Sequence, residues 1–163
     1  AGEIGHVVSV PGGRKCNCGR KGCIERYCAA GGIVETALEL VNTAEYGKSS
    51  LKGFDSKTLT TKIIYDAAIE GDAAALKTFD MTACYLASFL SDLVNLFSPE
   101  AIIISGGVAK SGSVLLDPLE KYFRNDLMEY YAGKEIRLMR SALPEQDAAI
   151  IGAASLAFQE LKG

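Results

Sequence analysis

The sequence has only one histidine, His6, and no stretch that approaches the roughly twenty consecutive apolar residues a membrane-crossing helix requires. It also lacks an excess of positive charge. Lys and Arg number 17 against 20 Asp and Glu, for a formal net charge of -3, which argues against a surface dominated by nucleic-acid binding. No internal repeat and no low-complexity tract is present, so the chain does not read as a repeat array or a linker. Nothing like a secretory signal precedes the first motif, although a chain starting at Ala1 without an initiator Met can have lost one. With 163 residues, 48% of them hydrophobic, the expectation is one compact, soluble, cytoplasmic domain.

What the sequence does contain is concentrated at its start. Three of the five cysteines, Cys16, Cys18 and Cys23, crowd into one glycine-rich loop shortly after His6. One imidazole and three thiolates make a complete tetrahedral set for zinc, and a filled coordination sphere means a structural ion with no open position for water. Gly19 and Gly22 can supply the positive φ angles that let so short a loop double back. The competing reading of clustered cysteines is a disulfide framework in a secreted chain. A Cys16–Cys18 disulfide, however, would close a small and strained ring. Cys28 and Cys84 lie outside the loop and read as small buried hydrophobes. Arg14 and Lys15 either screen thiolate charge or belong to a solvated face, the second being expected.

Pattern predicts the following elements. His6 to Val10 reads as a short strand closed by Pro11-Gly12-Gly13. A helix should begin after Cys23, with Glu25 in its first turn, and break at Gly31-Gly32. A second helix carries Ile33, Val34, Ala37, Leu38 and Val41 at helical spacing. Residues 45–56 form a polar loop, and 61–68 a short helix ending at Gly71-Asp72. The clearest helix carries Leu76, Phe79, Ala83, Leu86, Leu90, Val94 and Phe97 as a core stripe and stops at Ser98-Pro99. Ala101 to Ile104 is a strand apolar enough to be buried on both faces. Asp117-Pro118-Leu119-Glu120 supplies an N-cap, a first-position proline and a capping-box acid for a helix that buries Leu119, Phe123, Leu127 and Tyr130. Glu135 to Met139 is a further strand. A last helix over 147–161 presents Ile151, Ala154, Phe158 and Leu161 on one face. Alternating strands and helices imply an α/β architecture.

Gly2-Glu3-Ile4-Gly5-His6, followed by Cys16-x-Cys18-Gly19-x-x-Gly22-Cys23-x-Glu25, resembles the signature of the ROK family (repressors, open reading frames, kinases). That family comprises bacterial sugar kinases such as glucokinase and sugar-responsive transcriptional repressors. Ile102-Ile103-Ile104-Ser105-Gly106-Gly107-Val108-Ala109 resembles the family's adenosine-side glycine turn, with Ser105 where many members have another glycine. Ile150-Ile151-Gly152-Ala153-Ala154 resembles its closing helix.

The resemblance implies an actin-like, ribonuclease-H-like fold in two lobes, with sugar and ATP bound between them. Residues 1–163 would be the C-terminal part of such a protein only, with the zinc loop inserted at 6–23 and the N-terminal lobe missing. It further implies that Glu3, His6 and Glu25 hydrogen-bond a hexose, that Gly106 and Gly107 face the adenosine, and that His6, Cys16, Cys18 and Cys23 hold the zinc. The family's Asp-x-Gly-x-Thr segment, Asn-Asp pair and Gly-Thr-Gly-type turn have no match here. The catalytic Asp and the loops that hold ATP with Mg are therefore expected upstream, and this chain alone should not phosphorylate sugar. The expected parent is a glucokinase-like hexose kinase acting on the sugar 6-hydroxyl, assembled as a dimer or tetramer. The alternative is a sugar-sensing repressor, the one case that would bring nucleic acid in as a partner.

Overall fold

The longest element follows directly from the sequence. Asp72 opens α4 (Ala73–Phe97) by accepting a hydrogen bond from the Ala75 N–H, and Ser98 closes it in the left-handed region at φ 47 just before Pro99. Ala75, Phe79, Ala83, Ala87, Leu90 and Val94 recur every three or four residues and are buried. Their small neighbours Ala74, Thr78 and Thr82 let adjacent helices approach closely. The buried Thr78 and Thr82 hydroxyls bond back to the carbonyls of Ala74 and Thr78, so neither is left unsatisfied. The expected stripe holds in its middle and fails at its ends, because Leu76 and Phe97 are exposed.

In this computed structural model, residues 2–131, 133–143 and 145–160 are described, with no side-chain placement for Val108, for 145–149 or for 159–160. Along the chain come a 3-10 turn at Ile4–His6, α1 (Glu25–Cys28), α2 (Ala30–Val41) and α3 (Thr61–Ile69), then α4. After it follow β1 (Ala101–Ile104), α5 (Ser113–Asp126), β2 (Arg137–Arg140) and α6 (Glu145–Glu160). The core lies where α2, α3 and α5 pack on α4, and it is built from Ile33, Leu51, Ile64, Phe79, Val94, Leu115, Leu119 and Phe123. Turns fill 43–60. They are pinned to the start of α4 by Ser49 and Ser50, which donate to the Asp72 carboxylate, and by Leu51, which is buried. β1 and β2 pair in parallel with Ala101 opposite Arg137 and Ile104 opposite Arg140, so their C-terminal ends open on the same edge. Helices with a parallel strand pair make an α/β fold.

Several sequence expectations are corrected. Residues 6–10 are not a strand: His6 ends the 3-10 turn, and only Val8 bridges to Cys23. The helix break falls at Ala29, in extended backbone, and not at Gly31-Gly32. Gly32 is needed for packing instead, since a Cβ there would sit 2.5 Å from the Arg26 carbonyl carbon and oxygen. α5 starts at Ser113, not at Asp117, and so Pro118 lies inside it and forgoes one backbone bond. Burial of Leu115 explains the extra turn. Leu119 and Phe123 are buried as expected, whereas Tyr130 is exposed. Ile103 is exposed too, so β1 is not covered on both faces. In α6, Ile151, Ala154 and Phe158 face solvent, and Leu161 lies outside the described residues. Cys84 is likewise exposed, whereas Cys28 is partly buried and its thiol is pushed up to about 12 by burial. Among the described residues no helix is long and apolar enough to cross a membrane.

Candidate metal and sugar site

Residues 6–23 fold back as a tight hairpin. Its base is tied by Gly22 N–H to the Arg14 carbonyl at 2.8 Å and by Ser9 and Val10 N–H to the Gly22 carbonyl. Its tip is tied by Cys16 N–H to the Arg20 carbonyl and by Gly19 N–H to the Cys16 carbonyl. Gly19 and Gly22 adopt φ of 91 and 81, as the reversal requires. Gly22 has a second reason to be glycine, because a Cβ would fall 1.7 Å from the Val10 carbonyl oxygen.

This folding gathers His6, Cys16, Cys18 and Cys23, whose nearest ligand atoms all lie within 4.8 Å of one another. Cys16 Sγ is 3.5 Å from His6 Nδ1, and Cys18 Sγ is 3.5 Å from Cys23 Sγ. Tetrahedral Zn–S bonds of 2.3 Å would separate the sulfurs by about 3.8 Å, so the donor set and its spacing fit such an ion. Cys16 and Cys23 are buried and Cys18 is exposed. The thiols have different acidities. The Arg20 N–H, aided by the neighbouring sulfurs, lowers Cys18 to about 6 against the desolvation it also feels. Desolvation and the adjacent Cys18 and Cys16 raise Cys23 to about 11. A cation at the centre would favour the thiolate at both positions. The structure thus holds a partly buried His/Cys cluster able to coordinate a metal ion.

The three residues expected to face sugar are brought to the same corner. His6 Nδ1 points at Cys16, leaving Nε2 turned toward Glu3 Oε2 at 4.0 Å. Glu25 opens α1 directly beyond Cys23, and its carboxylate lies against Gly5, where an added Cβ would be 3.7 Å from Oε2. Glu3 is open to solvent. Gly106 and Gly107 lie elsewhere, just past the C-terminal end of β1. Gly106 has φ 86 and nothing within 4 Å of an added Cβ, so backbone angle and not crowding calls for glycine there. Gly107 begins a 3-10 turn to Ser111.

Two arginines had no signal in the motif. Arg20 donates to the His6 carbonyl, holding the turn that carries the imidazole. Arg14, expected on a solvated face, has a largely buried side chain locked onto α2. No residue spacing could have revealed either, because the partners of both include backbone carbonyls distant in sequence.

The ROK family sequence profile matches residues 1–160. The glucokinase of Halalkalibacterium halodurans is 38% identical over 162 residues, covering 98% of this chain and 48% of that protein. The Escherichia coli DNA-binding transcriptional dual regulator NagC is 31% identical over 155 residues, covering 95% of this chain and 36% of that protein. A crystal structure of a ROK family glucokinase from Streptomyces griseus, in complex with glucose and AMPPNP, superimposes with a TM-score of 0.84 at 34% identity, covering 98% of this chain and 52% of that one. The chain thus spans about half the length of the glucokinases it matches. The expectation of a match to the C-terminal part of a ROK protein only is corrected by the profile, which runs through residues 1–160, nearly all of the 163. With both sequence and fold in agreement over that span, the chain belongs to the ROK family.

Proposed function

We propose that the full-length protein is an ATP-dependent hexose kinase of glucokinase type and that this chain supplies its sugar-binding corner and its adenosine-side turn. The observation that carries the reading is the meeting of Glu3, His6 and Glu25 at one edge of a four-ligand His/Cys cluster. A hexose needs both donors and acceptors held at set angles. Glu3 and Glu25 carboxylates accept from sugar hydroxyls, and His6 serves as donor through Nε2–H. A structural zinc would take His6 Nδ1 with the Cys16, Cys18 and Cys23 thiolates, fixing the tautomer and the ring plane. Its contribution is rigidity, because four protein ligands leave it no open position.

The whole fold is proposed to be actin-like and ribonuclease-H-like, with the zinc loop inserted at 6–23. Gly106 and Gly107 would sit against the adenosine of ATP, which enters with Mg. Support for this comes from their place beyond the carboxyl ends of the parallel β1 and β2, where open α/β sheets bind ligands. The aspartate that accepts the proton of the sugar 6-hydroxyl, and the loops that hold the phosphates, belong to residues outside this sequence. The chain by itself is then inactive, and the active protein is a homo-oligomer.

A sugar-responsive repressor is the second reading, favoured by the 31% identity to NagC. The deciding experiment is a panel assay of the full-length protein with glucose, N-acetylmannosamine, fructose and allose. ATP-dependent phosphorylation of one of them, lost in Glu25→Gln, supports the kinase. Sugar binding without turnover, together with sugar-sensitive binding to operator DNA, overturns it in favour of the repressor.

A further inference from the structure

Arg14 stands at the base of the metal hairpin, where its own carbonyl accepts the Gly22 N–H and its N–H donates to the Tyr27 hydroxyl at 2.9 Å. Its side chain leaves the hairpin and ends in a nest of four acceptors. Nη1 donates to the Arg26 carbonyl at 2.8 Å and to the Gly32 carbonyl at 3.0 Å. Nη2 donates to Thr36 Oγ1 at 2.9 Å and to Glu39 Oε2 at 2.5 Å, and Nε reaches Glu39 Oε1 at 3.2 Å. The guanidinium also lies over the Tyr27 ring, 4.7 Å from its centroid. Only 11% of the side chain is exposed, whereas Glu39 is 58% exposed, so the ion pair is the outer and weaker part of the arrangement.

The acceptors explain the geometry. α1 is a single turn, and the Arg26 carbonyl at its end has no place in a continuing helix, because Ala29 turns the chain away. Arg14 caps that carbonyl and joins it to the first turns of α2. The result is a closed ring of structure: hairpin base, Arg14 side chain, α2 and α1, then back through Ile24 to Cys23. Glu25 and the ligand Cys23 are both on that ring.

We propose that Arg14 is a positioning residue for the metal site, and that its planar fork, not its charge, sets the hairpin against α1 and α2. The inference rests on the metal reading given above. A lysine would bring the same charge but only three donors radiating from one point, and so could not serve both carbonyls, the threonine and the carboxylate together. Thiolate screening would need only the charge.

The test compares the full chain with Arg14→Lys and Arg14→Leu, measuring zinc affinity by chelator competition and amide hydrogen exchange at Gly22, Cys16 and along α4. Expected are zinc binding about tenfold weaker in both variants and faster exchange at Gly22 and Cys16, with α4 protection unchanged. Wild-type affinity in Arg14→Lys would overturn the proposal, since charge alone would then suffice. Loss of α4 protection in step with the hairpin would overturn it too, by showing general destabilisation. Should Arg14→Leu fail to fold, Thr36→Val combined with Glu39→Leu removes two of the four acceptors and is expected to weaken zinc in the same direction, whereas wild-type affinity in that double variant would overturn the proposal. If the wild-type chain takes up no zinc, the metal reading fails on its own. Exchange at Gly22 still decides the clamp: faster in Arg14→Lys supports it, unchanged overturns it.

Discussion

The metal hairpin and the helical body are held together by opposite means. The body buries Phe79, Phe123, Ile33, Ile64 and Leu115 in one apolar cluster, where non-directional burial supplies most of the stabilisation. In residues 6–23 the buried apolar side chains are only Cys16 and Cys23, Arg14 is largely buried as a polar anchor, and Val7 and Val8 lie exposed. The hairpin is ordered by backbone hydrogen bonds, three positive-φ glycines, the Arg14 fork and its four gathered ligand atoms. An apolar core relaxes around a missing methyl group. A set of directional contacts converging on one point has no comparable slack. Damage to the body should therefore read out as lost stability, and damage to the hairpin as lost metal-binding capacity of the His/Cys cluster.

The sharpest separation is expected from Cys18→Ser. Zinc sites of this type contribute about 10–16 kcal/mol of apparent binding free energy in small peptides, so losing a ligand should abolish tight binding. Elemental analysis of the reduced variant should find almost no zinc while far-UV circular dichroism keeps the helical signal. A variant that still carries a full equivalent would show that Cys18 is not a required ligand. Next in size is Phe79→Ala, which removes a fully buried ring from the centre of the body. Urea unfolding should show a loss of about 3–5 kcal/mol, with the zinc content of the folded fraction unchanged.

A smaller effect is expected at Asp72, whose carboxyl is pushed up by desolvation but more strongly pulled down by hydrogen bonds from Ala75, Ser50 and Ser49. Its folded pKa is thus below the unfolded value of 3.8. The stabilisation is fully present above that value and is lost as pH falls through the folded pKa. Asp72→Ala should cost about 0.5–2 kcal/mol at neutral pH and remove that acid-dependent loss, as measured by urea unfolding between pH 2 and pH 7. The smallest change belongs to Cys84→Ala. Cys84 is exposed on α4 and is not one of the four clustered ligands, so zinc content should not move. Equal zinc loss in Cys84→Ala and Cys18→Ser would erase the distinction between the two regions.

Much of both regions could be read from residues alone, for different reasons. His6, Cys16, Cys18 and Cys23 stood out because few functions other than a metal use one imidazole and three thiols within so short a span. α4 stood out because an apolar repeat at helical spacing and a Ser98-Pro99 stop agree with one another, while its Asp72 cap emerged only in the structure. What stayed hidden depends on tertiary contact. Arg14 finds its acceptors 12 to 25 residues away, and two of them are backbone carbonyls, which no side-chain pattern encodes. Gly32 looked like a helix breaker because the Arg26 backbone pressing against it cannot be seen in one dimension. Pro118 looked like a helix start because local capping rules say nothing of the burial that Leu115 gains one turn earlier. The α6 face read from the sequence, of which Ile151, Ala154 and Phe158 are exposed, has no partner among the described residues.

One ion, taken up by His6 and three thiolates, is proposed to fix the turn in which the imidazole faces Glu3 and the neighbouring Gly5 lies against Glu25. X-ray absorption at the zinc edge of the reduced, zinc-loaded chain tests it most directly. Expected is a first shell of about three sulfurs at roughly 2.3 Å and about one nitrogen at roughly 2.0–2.1 Å. A shell of oxygen and nitrogen without sulfur, or a folded chain that retains no zinc at all, would contradict it.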